Sequence, residues 1–371
     1  MAIKSNAPHA KKHNSTIAIW KFLFSLLILF RHAETYNPEF ANSPFNFIGG
    51  SIGIFFFFIV SGYLMTKNAL GKDVQQDTSS LGKLTFNFIW KKIKVFFPFI
   101  LFAFIAGLIV NIVRGEEITL QTILNSIFSL FVLPQSFIAH RKFVGVAWYI
   151  SVMLAGMMIL YPLIVKHKKN FILIISPLIV LLLFGFMNKM DNGSYSHSDI
   201  YYFGYLPKSL LSAIAGLSLG SLSFALTEKL NSIKFTRLAK VLLTLFYIAC
   251  FTSTFFISCL PNSHQKYDSF MIVTLFLGVS IAFSDIPITR KITDNKLSFY
   301  LEKLSLPLYL NHMWIMNAML LMSLGTSRLS SFICISTGLS IVVSIVAYNA
   351  TRLYSKVLSN RRLQAMIIAS R

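Results

Sequence analysis

A lysine and a histidine bound one apolar segment near the beginning of the chain. Lys21 and His32 are separated by the ten residues FLFSLLILFR. At about 100° per residue, this spacing places both side chains on one helix face, within about 20° of each other and roughly 16 Å apart along the axis. A neutral histidine can take a proton from a hydroxyl or carry an acyl group, since its unperturbed pKa is about 6.5. A lysine that extends to the membrane surface and an interfacial histidine are the ordinary alternatives.

The composition indicates that the element carrying these two residues crosses a membrane. Of the 371 residues, 55% are hydrophobic and only 13% are charged, which is about half the charged share of a soluble domain. Apolar runs of about 20 residues, the length that spans a bilayer core, recur along the chain. We therefore expect an all-α polytopic membrane protein with about ten transmembrane helices. The predicted spans are about residues 16–32, 47–66, 95–113, 145–165, 171–188, 205–225, 240–259, 269–284, 304–325 and 331–350.

Two other apolar segments do not fit the pattern of a span. The stretch 119–140 is interrupted by polar residues and Pro134, so we expect it to lie at the outer surface or to re-enter the membrane. The stretch 84–94, LTFNFIWKKIK, alternates apolar and basic residues and is typical of an interfacial helix.

The distribution of positive charge predicts the orientation of the helices. With the amino terminus inside, the inner segments hold 25 of the 34 lysines and arginines, and the outer segments hold eight. This bias follows the positive-inside rule, so we expect both termini in the cytoplasm and the protein in the plasma (inner) membrane. Because the net charge of +21 is explained by topology, it does not indicate a nucleic-acid partner.

Cysteine and histidine usage gives no sign of a metal centre or a disulfide framework. The three cysteines are an odd number within predicted spans, and the eight histidines have no metal-ligand spacing. No phosphate-binding glycine loop or dinucleotide fingerprint is present. We expect no metal and no bound cofactor.

The second predicted span contains a break in side-chain size. Its stretch FFIVSG, residues 57–62, places a Ser-Gly pair after aromatic residues. Alone, such a pair indicates close contact between membrane helices. Together with Lys21 and His32, it resembles the acyltransferase-3 family of integral membrane acyltransferases. That family has Arg or Lys, ten residues and His in its first span, and an FFxxSG element in its second.

The resemblance extends over most of the chain. FIWKKIKVFFP resembles the family's basic RxxR segment, GVAWYISVMLAGMMILYPLIV its WxLxxE span, and LSLPLYLNHMWI its late span ending in YLxH. The matching positions, in chain order, are Lys21, His32, Phe57, Phe58, Ser61, Gly62, Lys91, Lys94, Trp148, Ser151, Tyr161, Pro162, Ser305, Tyr309, Leu310 and His312.

The chain departs from the family pattern at three places. Lys91 and Lys94 replace two arginines, and a lysine offers a point charge where an arginine offers a bidentate fork. Pro98 is one residue farther from this pair than usual. Met153 stands where a glutamate is common, so any role of that carboxylate is absent or supplied elsewhere.

The resemblance implies that an acyl-CoA, such as acetyl-CoA, is the co-substrate and that His32 is catalytic. Lys91, Lys92 and Lys94 are predicted at the cytoplasmic face, where they are placed to bind the donor's phosphates. Topological charge or anionic lipid binding is the alternative for these lysines. The helix from Lys21 to His32 would then line a path from the phosphate end to an outward-facing reaction centre. His32 can act as a base or carry the acyl group, and the sequence does not choose between the two.

The sequence therefore predicts a membrane O-acyltransferase that acetylates a cell-envelope glycan or its lipid-linked precursor. A transporter or flippase of lipid-linked sugar shares the spans and the charge bias, and in a non-catalytic assembly protein His32 would be replaceable. We expect residues 1–350 to form the membrane acyltransferase domain and 351–371 a basic cytoplasmic tail, so that the chain is the membrane unit alone. The expected partners are the acyl-CoA, the glycan or lipid-linked acceptor and membrane lipid, and a homo-oligomer is left open.

Overall fold

The computed structural model is built almost entirely of α-helices. It describes residues 14–37, 39, 43, 47–72, 78–127, 130, 143–192, 195, 200–260, 266–324 and 328–369. Within these ranges, the only strands form a short antiparallel hairpin of β1 (Tyr201–Tyr202) and β2 (Leu206–Pro207). The all-α prediction is therefore confirmed.

The helices follow one another with short connections. In chain order they are α1 (Ser15–Ala33), α2 (Gly53–Leu70), α3 (Thr78–Val113), α4 (Leu120–Ile127), α5 (Trp148–Asn170), α6 (Ser176–Met190), α7 (Lys208–Asn231), α8 (Arg237–Ser258), α9 (Asp268–Phe283), α10 (Arg290–Thr293), α11 (Lys296–Leu321) and α12 (Leu329–Ala369). Short 3-10 turns, Ile48–Ile52 and Gly145–Ala147, lead into α2 and α5, and a π-helical turn, Phe171–Ile175, leads into α6.

Several of these helices have the length and apolarity of membrane spans. Among the described residues, seven helical segments meet that description. One of them, Gly145–Met190, includes both α5 and α6. Lys168, in the last turn of α5, has non-helical angles (φ 42°, ψ −112°), so this segment is kinked between the two helices. Each of the ten predicted spans overlaps a helix. The multi-pass membrane architecture is thus confirmed, whereas the count of ten and the cytoplasmic placement of the termini stay predictions.

Three local expectations can be compared with the helix bounds. The predicted interfacial helix at 84–94 is not separate, because α3 runs unbroken through it and across Pro98. A proline inside a helix removes one backbone donor, and the remaining hydrogen bonds continue the helix here. In the stretch 119–140, α4 covers the first residues, while 131–142 lie outside the described residues. α12 continues as one helix across residue 350, where we place the boundary of the tail.

Two glycines bring α2 and α7 into close contact. A Cβ atom on Gly62 would lie 2.1 Å from the Leu217 carbonyl oxygen, and one on Gly220 would lie 2.2 Å from the Ile59 carbonyl oxygen. No side chain fits in either place. Such close backbone approach is how membrane helices associate, because their apolar side chains gain little by leaving lipid. Gly62 of the FFxxSG element is therefore a helix-contact residue.

The helices that carry the predicted site, α1 and α11, run parallel. Lys21 of α1 is paired with Glu302 of α11, and further along both helices the Ser25 hydroxyl donates to the Ser305 carbonyl. Polar caps fix where the two helices begin, because the side-chain oxygens of Asn14 and Asn295 accept backbone N–H groups of the first turns. The parallel arrangement brings the carboxyl-terminal halves of α1 and α11 to the same end of the molecule.

Candidate active site

Two histidines from different helices lie against each other at that end. His32 is in the last turn of α1 and is half-buried, whereas His312 is in the carboxyl-terminal half of α11 and is fully buried. Their ring centroids are 5.1 Å apart and their planes are tilted by 34°. The structure therefore brings together the histidines of the first and last elements of the motif.

The surroundings of His312 leave one of its ring nitrogens available. Nδ1 lies 3.4 Å from the carbonyl oxygen of Leu308, one turn earlier in α11. An Nδ1–H tautomer donates in this contact and carries its lone pair on Nε2. Nε2 is buried and has no hydrogen-bond partner among the residues that the structure describes. A buried polar atom without a partner is costly, and such atoms are often functional.

A chain of aromatic contacts connects this histidine pair to α2 and α5. The Tyr309 ring lies 6.0 Å from His312, and its hydroxyl donates to the Val146 carbonyl at 2.7 Å. Tyr149 lies 5.7 Å from Tyr309 and 4.9 Å from Phe58. The late YLxH element and the FFxxSG element thus meet through Tyr149, a residue that the sequence analysis did not select.

Two further motif residues of α2 contact Tyr149. Phe57 lies 6.2 Å from its ring, and Ser61 interacts with its hydroxyl. The hydroxyl also lies 3.3 Å from the sulfur of Met153, the residue that stands where the family has a glutamate. Trp148, which is half-buried, directly precedes Tyr149 in the chain, and Ser151, which is buried, follows it two residues later. Tyr149 thus links the motif residues of α2 to Tyr309 and, through Tyr309, to His312.

Lys21 has an acidic partner that the sequence analysis missed. Its Nζ lies 2.6 Å from Oε1 of Glu302, and the two side chains are 20% and 27% exposed. Lys21 is thus part of an ion pair between α1 and α11. A carboxylate at the edge of a predicted apolar span is rare enough to have drawn notice, but its partner cannot be read from a single sequence.

The predicted donor-binding lysines lie on α3. Lys91 and Lys94 are exposed and Lys92 is half-buried. The ammonium groups of Lys92 and Lys94 lie 5.6 Å and 5.5 Å from the ring centroids of Phe88 and Trp90. Contacts of this kind are worth about 0.5–1 kcal/mol at exposed sites. The cluster is a positively charged and aromatic surface that solvent can reach.

The lysine segment of α3 and the aromatic residues beside the histidine pair contact α5 at different points along that helix. Phe88, next to the lysines, stacks on Tyr161 at 4.1 Å, whereas Phe58 contacts Tyr149. Twelve residues of helix separate the two tyrosines, which is about 18 Å. The structure therefore does not bring the lysines to the histidines.

A polar cluster lies beyond the histidines, at the ends of α1, α3 and α11. Arg114 Nη1 donates to Asn317 Oδ1 at 2.9 Å, and the Tyr36 hydroxyl also hydrogen-bonds the Asn317 side chain. Arg31 pairs with Glu34 at 3.1 Å. Burial raises the pKa of Glu34 and of Tyr36, and the neighbouring guanidinium groups oppose the rise. The ends of these helices beyond the histidine pair are therefore polar.

These observations define the class of protein: an all-helical, multi-pass membrane protein with a paired-histidine site next to a polar cluster at the helix ends. Among the described residues, no three His, Cys, Asp or Glu side chains are grouped to hold a metal ion. The family model described as "Acyltransferase domain" matches residues 15–349. The chain belongs to the acyltransferase-3 family, as its motifs predict. Comparisons with curated proteins and with solved structures find no match.

Proposed function

We propose that the protein transfers an acetyl or other short acyl group from an acyl-CoA to a hydroxyl of a cell-envelope glycan or its lipid-linked precursor. Family membership supports acyl transfer at a membrane in general. The observation that carries the proposal is the His32–His312 pair, with a buried Nε2 that has no partner among the described residues. A proton acceptor is what acyl transfer to a hydroxyl requires.

The proposed chemistry assigns His32 as the catalytic residue. The acceptor oxygen attacks the thioester carbonyl carbon, the carbon–sulfur bond breaks, and CoA leaves as its thiol after taking up a proton. His32 removes the proton from the attacking hydroxyl and returns it to the thiolate sulfur. In a covalent variant of this route, the His32 imidazole takes the acyl group first and then passes it to the acceptor. His312 holds the ring of His32 and offers a second proton acceptor.

The proposed topology has ten crossings with the histidine pair near the outer surface. The packing directions support this proposal, because consecutive crossings must alternate. α1 and α11, the first and ninth predicted crossings, are parallel. α7 and α9, the sixth and eighth, are also parallel, because Ser223 and Thr227 donate to the carbonyls of Phe276 and Ser280, about one turn apart in α9. α8 and α9 are antiparallel, since Thr254 pairs with Thr274 and Ser258 with the earlier Met271. Together with the charge bias, this arrangement supports cytoplasmic termini. We further propose that the membrane is a bacterial inner membrane.

The donor would bind with its phosphates at Lys91, Lys92 and Lys94. Their exposure and the aromatic rings beside them suit a nucleotide with several negative charges. The distance of about 18 Å along α5 allows the thioester arm to extend toward the histidines while the charged end stays in water. Burying that end in hydrocarbon would be very costly.

Mass spectrometry of envelope glycans tests the proposal. Cells that express the protein should carry glycans heavier by one acetyl group, and cells with the His32→Ala variant should not, although the variant remains in the membrane. A flippase of lipid-linked sugar would move its substrate without adding mass. Identical glycan masses with and without the protein would contradict acyl transfer to the envelope.

A further inference from the structure

We propose that Lys21 and Glu302 are a positioning pair, which sets the register of α1 against α11 and thereby holds His32 against His312. The inference rests on the proposed function for its catalytic consequence. Lys21, the basic residue of the first-span motif, would thus act by holding α11 in place, with Glu302 as its partner.

The contacts between α1 and α11 share one register. The ion pair joins residues 281 positions apart, and the hydrogen bond from Ser25 to Ser305 joins residues 280 positions apart. His32 and His312 are also 280 positions apart, as their numbers show. Because the offset is nearly constant, the two parallel helices stay in step from the ion pair to the histidines.

Polar contacts, rather than apolar ones, must fix this register. In a bilayer, an apolar side chain is as well solvated by lipid as by another helix, so apolar faces specify register weakly. A slip of one residue would move α1 by about 1.5 Å and rotate its side chains by about 100°. Such a slip would separate the two histidines. The ion pair opposes it, since a mismatched register leaves two largely shielded charges without partners.

The ion pair is too far from the histidines to act on the acyl group directly. Lys21 is eleven residues from His32 and Glu302 is ten residues from His312, which are about 16 Å and 15 Å of helix. Any effect on the chemical step is therefore transmitted through the relative position of α1 and α11.

Neutralising Glu302 distinguishes this role from donor binding by Lys21. If Lys21 bound phosphate, removal of Glu302 would free its charge and leave donor affinity unchanged or improved. If the pair sets the register, Glu302→Gln is as harmful as Lys21→Gln. A misplacement of about 1 Å at a reaction centre costs about 100-fold in rate. Each variant should therefore lower kcat by about 10- to 100-fold at saturating acetyl-CoA, with the donor KM within about twofold of wild type.

Exchange of the two charges provides the rescue. Lys21→Glu combined with Glu302→Lys should recover kcat to within about threefold of wild type, because the pair is restored with its polarity reversed. Lys303→Gln removes the neighbouring positive charge of α11 and serves as the matched control, with unchanged kinetics. A raised donor KM in Lys21→Gln together with normal kinetics in Glu302→Gln would overturn the proposal.

Disulfide trapping measures the register of α1 against α11 without an acyl-transfer assay. Cysteines replace Ser25 and Ser305 in a protein whose Cys250, Cys259 and Cys334 are serine. Oxidation should cross-link this parent and the charge-exchanged variant, and cross-link Lys21→Gln and Glu302→Gln several-fold less. Parent-like cross-linking of the single variants, or none in the parent, would overturn the proposal. Normal cross-linking with no acyl transfer by wild type would instead reject the proposed function and leave the positioning role standing.

Discussion

Replacing His312 by phenylalanine should separate stability from activity. The phenyl ring is flat like the fully buried imidazole and can contact His32, but it is larger and lacks both nitrogens. Loss of the bond to the Leu308 carbonyl costs about 0.5–1.5 kcal/mol and the larger ring costs about 1–3 kcal/mol, whereas removal of an unpaired buried nitrogen regains about 1–3 kcal/mol. These effects largely offset one another, so the free energy of unfolding should stay within about 2 kcal/mol of wild type.

The same substitution should strongly reduce catalysis. Loss of a positioned acid or base costs about 100- to 10,000-fold in rate, which corresponds to about 2.7–5.4 kcal/mol of barrier. Thermal unfolding in detergent measures the first effect, and transfer of labelled acetyl from acetyl-CoA measures the second. His167→Phe is the matched control, because His167 is exposed at the far end of α5. It should change neither quantity.

Two results would refute this reasoning. A His312→Phe protein that transfers acetyl at the wild-type rate would remove His312 from the mechanism. A loss of acetyl transfer no greater than the loss of folded protein would show that the histidine is retained for the fold and not for chemistry.

The other predictions concern the donor, the helix contact and the two faces of the membrane. Replacing Lys91 and Lys94 by Gln should raise the donor KM more than it lowers kcat, while Arg at both positions should keep activity. An unchanged donor KM in the Gln variant would mean that the two lysines serve only to orient the protein in the membrane. Gly62→Ala should lower the free energy of unfolding of the detergent-solubilised protein by about 1–3 kcal/mol, because the added methyl would overlap the Leu217 carbonyl. Gly185→Ala, with open space around the glycine, should leave this free energy unchanged. In sealed vesicles, acetyl-CoA should be used only from the face that bears the two lysines, and use from the opposite face alone would contradict the proposed orientation.

Much of the fold follows from hydropathy, because length and apolarity alone decide whether a segment can span a bilayer. Helix continuity is a separate matter. α3 runs through the expected interfacial segment at 84–94, because no residue there breaks a helix. A helix can cross the membrane surface without any change in its backbone conformation. The break between α5 and α6 was predictable, because the basic segment 166–170 separates the two expected spans, although no proline or glycine marks the non-helical angles at Lys168.

Residues of the candidate site could be predicted where their spacing within one helix, or a motif, identified them. Lys21 and His32 share a face of α1, and the late YLxH element supplies His312. Glu302 and Tyr149 were not predictable, because each contributes through contacts with another helix. A single sequence records which residues a helix carries but not which helix lies beside it, and polar pairs between membrane helices depend on that neighbour.

Acetyl transfer by the purified protein in lipid vesicles tests the central claim most directly. Wild type, supplied with labelled acetyl-CoA and a lipid-linked glycan acceptor, should form labelled glycan, and His32→Ala should form about 100- to 10,000-fold less at an equal amount of folded protein. Equal rates of labelled glycan formation by wild type and His32→Ala would contradict the account.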